Sequence, residues 1–487
     1  MTQEIVLTRP LGLCEHFLRS RTVSGFYVNF AVTGTYSLDL KEDLSIVFKS
    51  LRKTILDYHI LICNVFKDTD LNDCILKPIE LAKFSDIVVI EDSDVFLDGE
   101  DTINEKFMKR VNEEKFDLYK NSPLFRLFII GRHNLCAVFE HTIADGVAGA
   151  LFHELFLENL AFVMQFSNKE ILEIDYGISE ADCNIEFASL FNYEADFKFL
   201  RHSLPPPIDI FMADPKLRYG EANYFDKIIP DSHPDKWEGF HPAELNYSIA
   251  FKLVNLTPSD LKSVLSKCKD MKVSLTAYFC VVAALTLQPL FGDKKHTSHR
   301  VAISLRRHLD LRGVPTESQN NSKCFKRKKL GSNAFVGLPE NFPPFTDFSW
   351  DMVKQVNNHI KLVATNNKVF NTLHSFQINY DKLGENPSYF ESTLGYPKQD
   401  ATKISNLGFI NFPIYQVVNN DLTIENLIFS QDMSPNTSEF MFNIVSTPIG
   451  GMNIVLSFHD DKIDSTGSMI FDNLVVQLKR AILQYCT

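Results

Sequence analysis

Apolar residues recur along this chain in two rhythms. A period near 3.6 marks helices. Leu13, Phe17 and Leu18 outline a short amphipathic helix, and Leu44, Val47, Phe48, Leu51 and Ile55 share one face of residues 40–57. The same spacing returns in 147–164 through Leu151, Leu155, Leu160 and Val163, from about residue 274, and in 468–484 through Ile470, Leu474, Leu478 and Ile482. Between these lie extended runs. Residues 25–32 (GFYVNFAV) read as a strand, and 124–130 with 135–140, joined by Gly131-Arg132-His133-Asn134, read as an antiparallel hairpin. Residues 245–254 alternate through Tyr247, Ile249, Phe251 and Leu253, and 299–305, 404–412, 440–445 and 452–458 read as further strands. Thr257-Pro258 is a helix start, with Thr as cap and Pro in the first turn. Helices and strands intermix without a fixed repeat, so the fold class predicted is α/β with mixed sheets.

The pattern breaks near the middle, where seven prolines fall between Pro205 and Pro242. Proline removes a backbone donor and fixes φ, so this stretch is no central strand or helix. The division expected is an N-terminal lobe at 1–204, a crossing segment at 205–242 and a C-terminal lobe at 243–487.

Composition narrows the function. Lys plus Arg total 49 against 61 Asp plus Glu, a net charge of −12, which does not draw nucleic acid. Nine scattered cysteines form no CxxC pair and no Cys/His cluster of metal-ligand spacing, so reduced thiols, no metal and a cytoplasmic location are expected. The start of the chain lacks the pattern of a secretory signal, and the longest apolar stretch, 273–287, is too short and too interrupted to span a membrane. The 41 Phe suit large apolar cores or an apolar pocket.

Serine-hydrolase elbows, phosphate loops, dinucleotide fingerprints and H-E-x-x-H zinc motifs are all absent. One constellation remains, FEHTIADGVAGALFHEL at 139–155, with His141, Asp145 and Gly146 where a strand gives way to a helix. Two readings fit it. His141 can be an ordinary strand-terminal histidine with Asp145 as a helix cap. Alternatively, its neutral imidazole is a general base, while Asp145 caps the helix or turns to an arginine and Gly146 lets the backbone turn. With no Ser or Cys nucleophile motif nearby, a base would serve direct transfer to an incoming acceptor.

HTIADG between strand and helix resembles the H-x-x-x-D-G motif of the chloramphenicol-acetyltransferase-like superfamily of CoA-dependent acyltransferases. RPLGLCEHFLRSRTVSGFYVNFAV (9–32), PLFRLFII (123–130), LTPSDL, ISLRRHL (303–309), SNLGFINF (405–412) and GGMNIVLSFHDD resemble, in order, segments of fungal alcohol O-acetyltransferases. The resemblance implies a two-lobed fold with a tunnel between the lobes, acetyl-CoA entering at one mouth and an acceptor at the other. It implies His141 as general base, Asp145 and Gly146 as structural supports, and Ser405 or Asn406 as oxyanion donors. Three departures stand out. Glu140 replaces the first of the two adjacent histidines of condensation domains, the plant-type DFGWG segment is missing, and only eight residues precede Arg9 where yeast alcohol acetyltransferases carry a membrane-associating helix.

The activity this implies is acetyl-CoA-dependent acetylation of an alcohol, without a permanently bound cofactor. A lipophilic, sphingoid-like amine and a sterol are alternative acceptors, and a silent lipid- or partner-binding module is the reading from another class. Arg306 or Arg307 is a candidate partner for Asp145. Lys326, Arg327 and Lys328, in a basic run at 323–329, can meet CoA phosphates or an anionic membrane surface, or be a solvated loop. The last helix can dock on endoplasmic-reticulum or lipid-droplet membrane or pack inward. A monomer is expected.

Overall fold

The computed structural model describes residues 6–99, 101–165, 168–178, 185, 188–200, 202–208, 234–239, 243–245, 247–292, 294–307, 333–365, 387–398, 400–417, 420–459 and 467–486. Two sheets dominate it. Their strands, in chain order, are β1 (Phe30–Tyr36), β2 (Val88–Glu91), β3 (Phe125–Ile130), β4 (Asn134–Phe139), β5 (Ile249–Leu256), β6 (Thr297–Ser304), β7 (Phe335–Phe342), β8 (Asp400–Phe409), β9 (Ile424–Gln431), β10 (Ser438–Thr447) and β11 (Gly451–His459). The first sheet is five-stranded in the order β9-β1-β4-β3-β2, the second six-stranded in the order β5-β11-β10-β8-β6-β7. Parallel pairs (β2 with β3, β8 with both β6 and β10) sit among antiparallel ones, so the class is mixed α/β. Longer helices are α1 (Leu13–Val23), α2 (Leu44–Asp57), α3 (Glu105–Asn112), α4 (Gly146–Met164), α5 (Pro258–Asp270), α6 (Leu275–Phe291), α7 (Trp350–Thr365) and α8 (Gly467–Gln484).

Sheet membership follows chain order with one exception. β9, from late in the chain, leaves the second sheet's company and pairs antiparallel with β1 of the first. A cut at residue 243 therefore does not separate the sheets at this strand. Most of the proline-rich stretch lies outside the described residues; of its start, the Pro205 carbonyl accepts from Arg9 Nε at 2.6 Å.

The hairpin of β3 and β4 pairs Phe139 with Phe125 through to Asn134 with Ile130. Thr257 caps α5 as its sequence predicts, with Pro258 in the first turn. The strand expected at 25–32 begins instead at Phe30. Gly25 has a φ of 76° just after α1, and the Val28 N–H goes to the Asp432 carboxylate at 2.6 Å rather than into a ladder. Likewise α2 starts at Leu44, because the Asp43 side chain caps it by accepting from the Ser45 N–H.

Three apolar layers hold the molecule. Helices α2 and α4 cover one face of the first sheet, where Phe125, Phe139 and Phe152 meet at ring separations of 5.8–6.2 Å. Part of the phenylalanine excess thus fills a core. α6, α7 and α8 cover the second sheet, and Leu474, Leu478 and Ile482 of α8 are buried there, so this stripe packs inward. The third layer lies between the sheets and joins Phe128, Cys136 and Val138 to Phe251, Ile428 and Val455. α4 is long and apolar enough to cross a membrane, although 61% of that stretch is buried within the protein. None of the described cysteines forms a disulfide, and all but Cys486 are buried.

Candidate active site

Strand β4 is buried at every position, ends at Phe139, and hands the chain to Glu140 and His141. His141 is 8% exposed, and its ring is walled by Tyr27, Phe30 and Phe335 at centroid distances of 5.4, 5.2 and 5.5 Å. The ring's orientation comes from across the molecule. Asn333, just before β7, donates through Nδ2 to the carbonyls of His141 and Thr142 at 2.7 and 2.9 Å. Its amide oxygen is thereby turned to His141 Nδ1, 3.1 Å away. An amide oxygen only accepts, so Nδ1 carries the proton and Nε2 keeps a free lone pair. Burial, helped by the positive charge of Arg21, moves the imidazole well below its ordinary pKa and keeps it neutral.

Asp145 ties the start of α4 to the second sheet. Its Oδ1 accepts from the Ala148 N–H at 2.9 Å, capping the helix. Oδ2 accepts from the Ala334 N–H at 2.9 Å and pairs with Arg306 Nη1, on the short turn that ends β6. Burial alone would push this carboxyl up; Arg306 and the two amides outweigh it and hold it below the usual carboxylate range. The carboxylate is thus fully engaged and does not reach the His141 ring.

Gly146 contributes room rather than an unusual φ. A Cβ there would lie 2.8 Å from Phe429 Cζ and 2.9 Å from Leu407 Cδ2, so a side chain would push β8 and β9 off the helix. Glu140, fully buried, accepts from the Thr22 hydroxyl at 2.7 Å and the Thr142 N–H at 2.6 Å. It stiffens the turn into His141, and burial raises its carboxyl above the ordinary value.

The two late candidates point opposite ways along β8. Asn406 aligns with Ile444 and donates to Thr276 Oγ1 of α6 at 3.1 Å, on the helix-covered face. Ser405 aligns with Asn443 and Ala302 on the other face, which looks into the layer between the sheets. Its hydroxyl has no hydrogen-bond partner among the described residues. The Arg307 side chain and the run with Lys326, Arg327 and Lys328 lie outside the described residues. Asn333 escaped the sequence reading because a single Asn before an apolar run carries no local signal. Arg21 escaped it because, on an amphipathic helix, an arginine reads as a solvated residue.

A sequence model described as alcohol acetyltransferase matches residues 10–482. A probable alcohol acetyltransferase, crmB of Aspergillus fumigatus, is 24% identical over 307 residues, covering 60% of this chain and 58% of its own. Among solved structures, the trichothecene 15-O-acetyltransferase TRI3 of Fusarium sporotrichioides matches with a TM-score of 0.66 at 11% identity, over 98% of this chain and 95% of that one. The first condensation domain of the CDA synthetase matches with a TM-score of 0.58 at 12% identity, over 99% and 97%. These likenesses fix the fold as that of the condensation-domain and chloramphenicol-acetyltransferase-like group. With a family match across nearly its whole length, the chain is an acyltransferase that belongs to the alcohol acetyltransferase family.

Proposed function

We propose that this chain transfers the acetyl group of acetyl-CoA to an alcohol, with His141 as the general base. The observation that carries the reading is the tautomer held by Asn333, which leaves the His141 Nε2 lone pair free beside an apolar wall. The alcohol oxygen attacks the thioester carbonyl as its proton passes to Nε2. The tetrahedral intermediate then collapses, the C–S bond breaks, and the imidazolium returns the proton to the departing thiolate. An acetate ester and free CoA result, with no covalent enzyme intermediate. Ser405 is the better placed of the two oxyanion candidates, because its hydroxyl faces the layer between the sheets while Asn406 is engaged by Thr276. Asp145 positions the loop and takes no proton.

Acetyl-CoA-dependent thiol release across a panel of medium-chain alcohols, sterols and lipophilic amines, with mass spectrometry of the products, tests this. Ester formation from alcohols is the expected result. Amide as the sole product, or no acyl transfer to any acceptor, would contradict it.

A further inference from the structure

Beside His141 lies a half-buried cation that the acyl transfer does not use. Arg21, near the end of α1, stacks its guanidinium over the Tyr27 ring at 3.9 Å, and Tyr27 in turn packs against His141. Both Nε and Nη2 of Arg21 are buried, and among the described residues neither has a hydrogen-bond partner. A guanidinium is always charged and offers five donors, so leaving it without an acceptor in the interior is costly. Two carboxylates stand within electrostatic reach, Asp432 and Glu140, but their oxygens are engaged by other donors. Asp432 accepts from the Val28 N–H at 2.6 Å, the Met433 N–H at 2.8 Å and the Tyr247 hydroxyl at 3.0 Å. Glu140 accepts from Thr22 and Thr142. Burial pushes the Asp432 carboxyl up to about 6 and raises Glu140 as well, which weakens both as counter-charges.

A second cation faces the same layer. Lys403 lies two residues before Ser405 on β8, and strand alternation puts both on the face shared with Met441, which packs between the sheets. Among the described residues no hydrogen bond or ion pair engages its ammonium. Asp400 lies within electrostatic reach but is bonded by Arg300 at 2.6 Å and by Ser298 at 3.2 Å. Burial lowers the Lys403 pKa to about 7, and the charges of Arg300 and Arg21 add to the effect. Two like charges, without an acceptor of their own among the described residues, thus lie within electrostatic reach of each other, Arg21 beside the His141 ring and Lys403 on the strand face of Ser405.

We propose that Arg21 and Lys403 bind a carboxylate carried by one of the two reacting molecules, next to the bond that forms at His141. The proposal rests on the reading of His141 as the base of an acyl transfer. The phosphates of CoA are not this anion, because the long pantetheine arm holds them far from the thioester. The carboxylate belongs either to the acceptor, a hydroxy acid, or to the acyl group, the monothioester of a dicarboxylic acid. A planar carboxylate matches the guanidinium fork and lets the ammonium complete its coordination.

Specificity constants for 6-hydroxyhexanoate and its methyl ester, each with acetyl-CoA, test the first source. Succinyl-CoA against acetyl-CoA, each with 1-hexanol, tests the second. In one of the two pairs the carboxylate-bearing substrate is expected to win by about ten- to a hundredfold, the range of a charge-assisted hydrogen bond. That ratio, read within each variant, falls towards one in Arg21→Gln and in Lys403→Met, and is partly kept in Arg21→Lys. Calorimetry of hexanoate against hexanamide on the wild-type protein needs neither turnover nor a variant, and tighter binding of hexanoate is expected. No preference in either pair together with equal binding of hexanoate and hexanamide would overturn the proposal. Absence of thiol release in every arm would instead overturn the acyl-transfer reading, while the calorimetry still decides the carboxylate site.

Discussion

Strand β4 ends at the candidate site and β8 carries the Ser405 candidate along its length, and the two are built in opposite ways. β4 is buried at all six positions and reads NLCAVF, with its hairpin partner on one side and β1 on the other. β8 alternates, with Thr402 and Ile404 turned to the helices and Lys403 and Ser405 turned to the layer between the sheets. One strand is an apolar rod that holds His141 in place. The other is a two-faced ribbon that carries polar groups towards it. The contrast teaches that the proposed base and the groups proposed to read substrate sit on separate parts, joined by long-range contacts that include those through Asn333, Arg306 and Ala334.

The strongest test of that division is to cut the join. Asp145→Ala removes the carboxylate that pairs with Arg306 and the cap of α4, so the expected cost is about 3–5 kcal/mol of stability, measured by denaturant unfolding. A loss under 1 kcal/mol would mean that the first sheet holds His141 without help from the second. Next in size is Ser405→Ala. If β8 supplies the oxyanion donor, kcat falls about a hundredfold with KM little changed. Asn333→Ala frees the ring to take the other tautomer and should cost roughly tenfold in kcat while substrate binding holds; wrong-tautomer variants of other enzymes lose activity in the same way. The smallest effect belongs to Asn406→Ala, whose side chain points at α6. Its kcat should stay within about threefold of wild type, and a loss as large as that of Ser405→Ala would show that the two faces of β8 are not distinct in function.

Local signals carried much of this architecture. The hairpin of β3 and β4, the cap at Thr257 and the helical stripe ending at Ile482 each rest on neighbours within a few residues, and each has the predicted form. HTIADG lies at a strand-to-helix corner, which local pattern also indicates. What pattern does not carry is choice of partner. β9 reads IENLIFSQ, a run that fits a strand in either sheet, and only the space beside β1 decides. Asn333 reaches His141 across 192 residues of chain, and Asp145 finds Arg306 across 161. Arg21 and Lys403 look like ordinary surface charges until the fold brings Arg21 beside the imidazole and Lys403 within electrostatic reach of Arg21.

The central claim is that neutral His141, through Nε2, takes the proton of the acceptor. Its direct test is the rate of acetyl-CoA-dependent ester formation from pH 5 to 8, wild type beside His141→Ala. Because only the neutral ring is a base, and burial lowers the pH at which it charges, the wild-type rate should hold as pH falls through 6.5 and decline only below it. The variant should be slower by about a thousandfold across the range. A variant within tenfold of wild type, or a wild-type rate already falling above pH 6.5, would contradict the account.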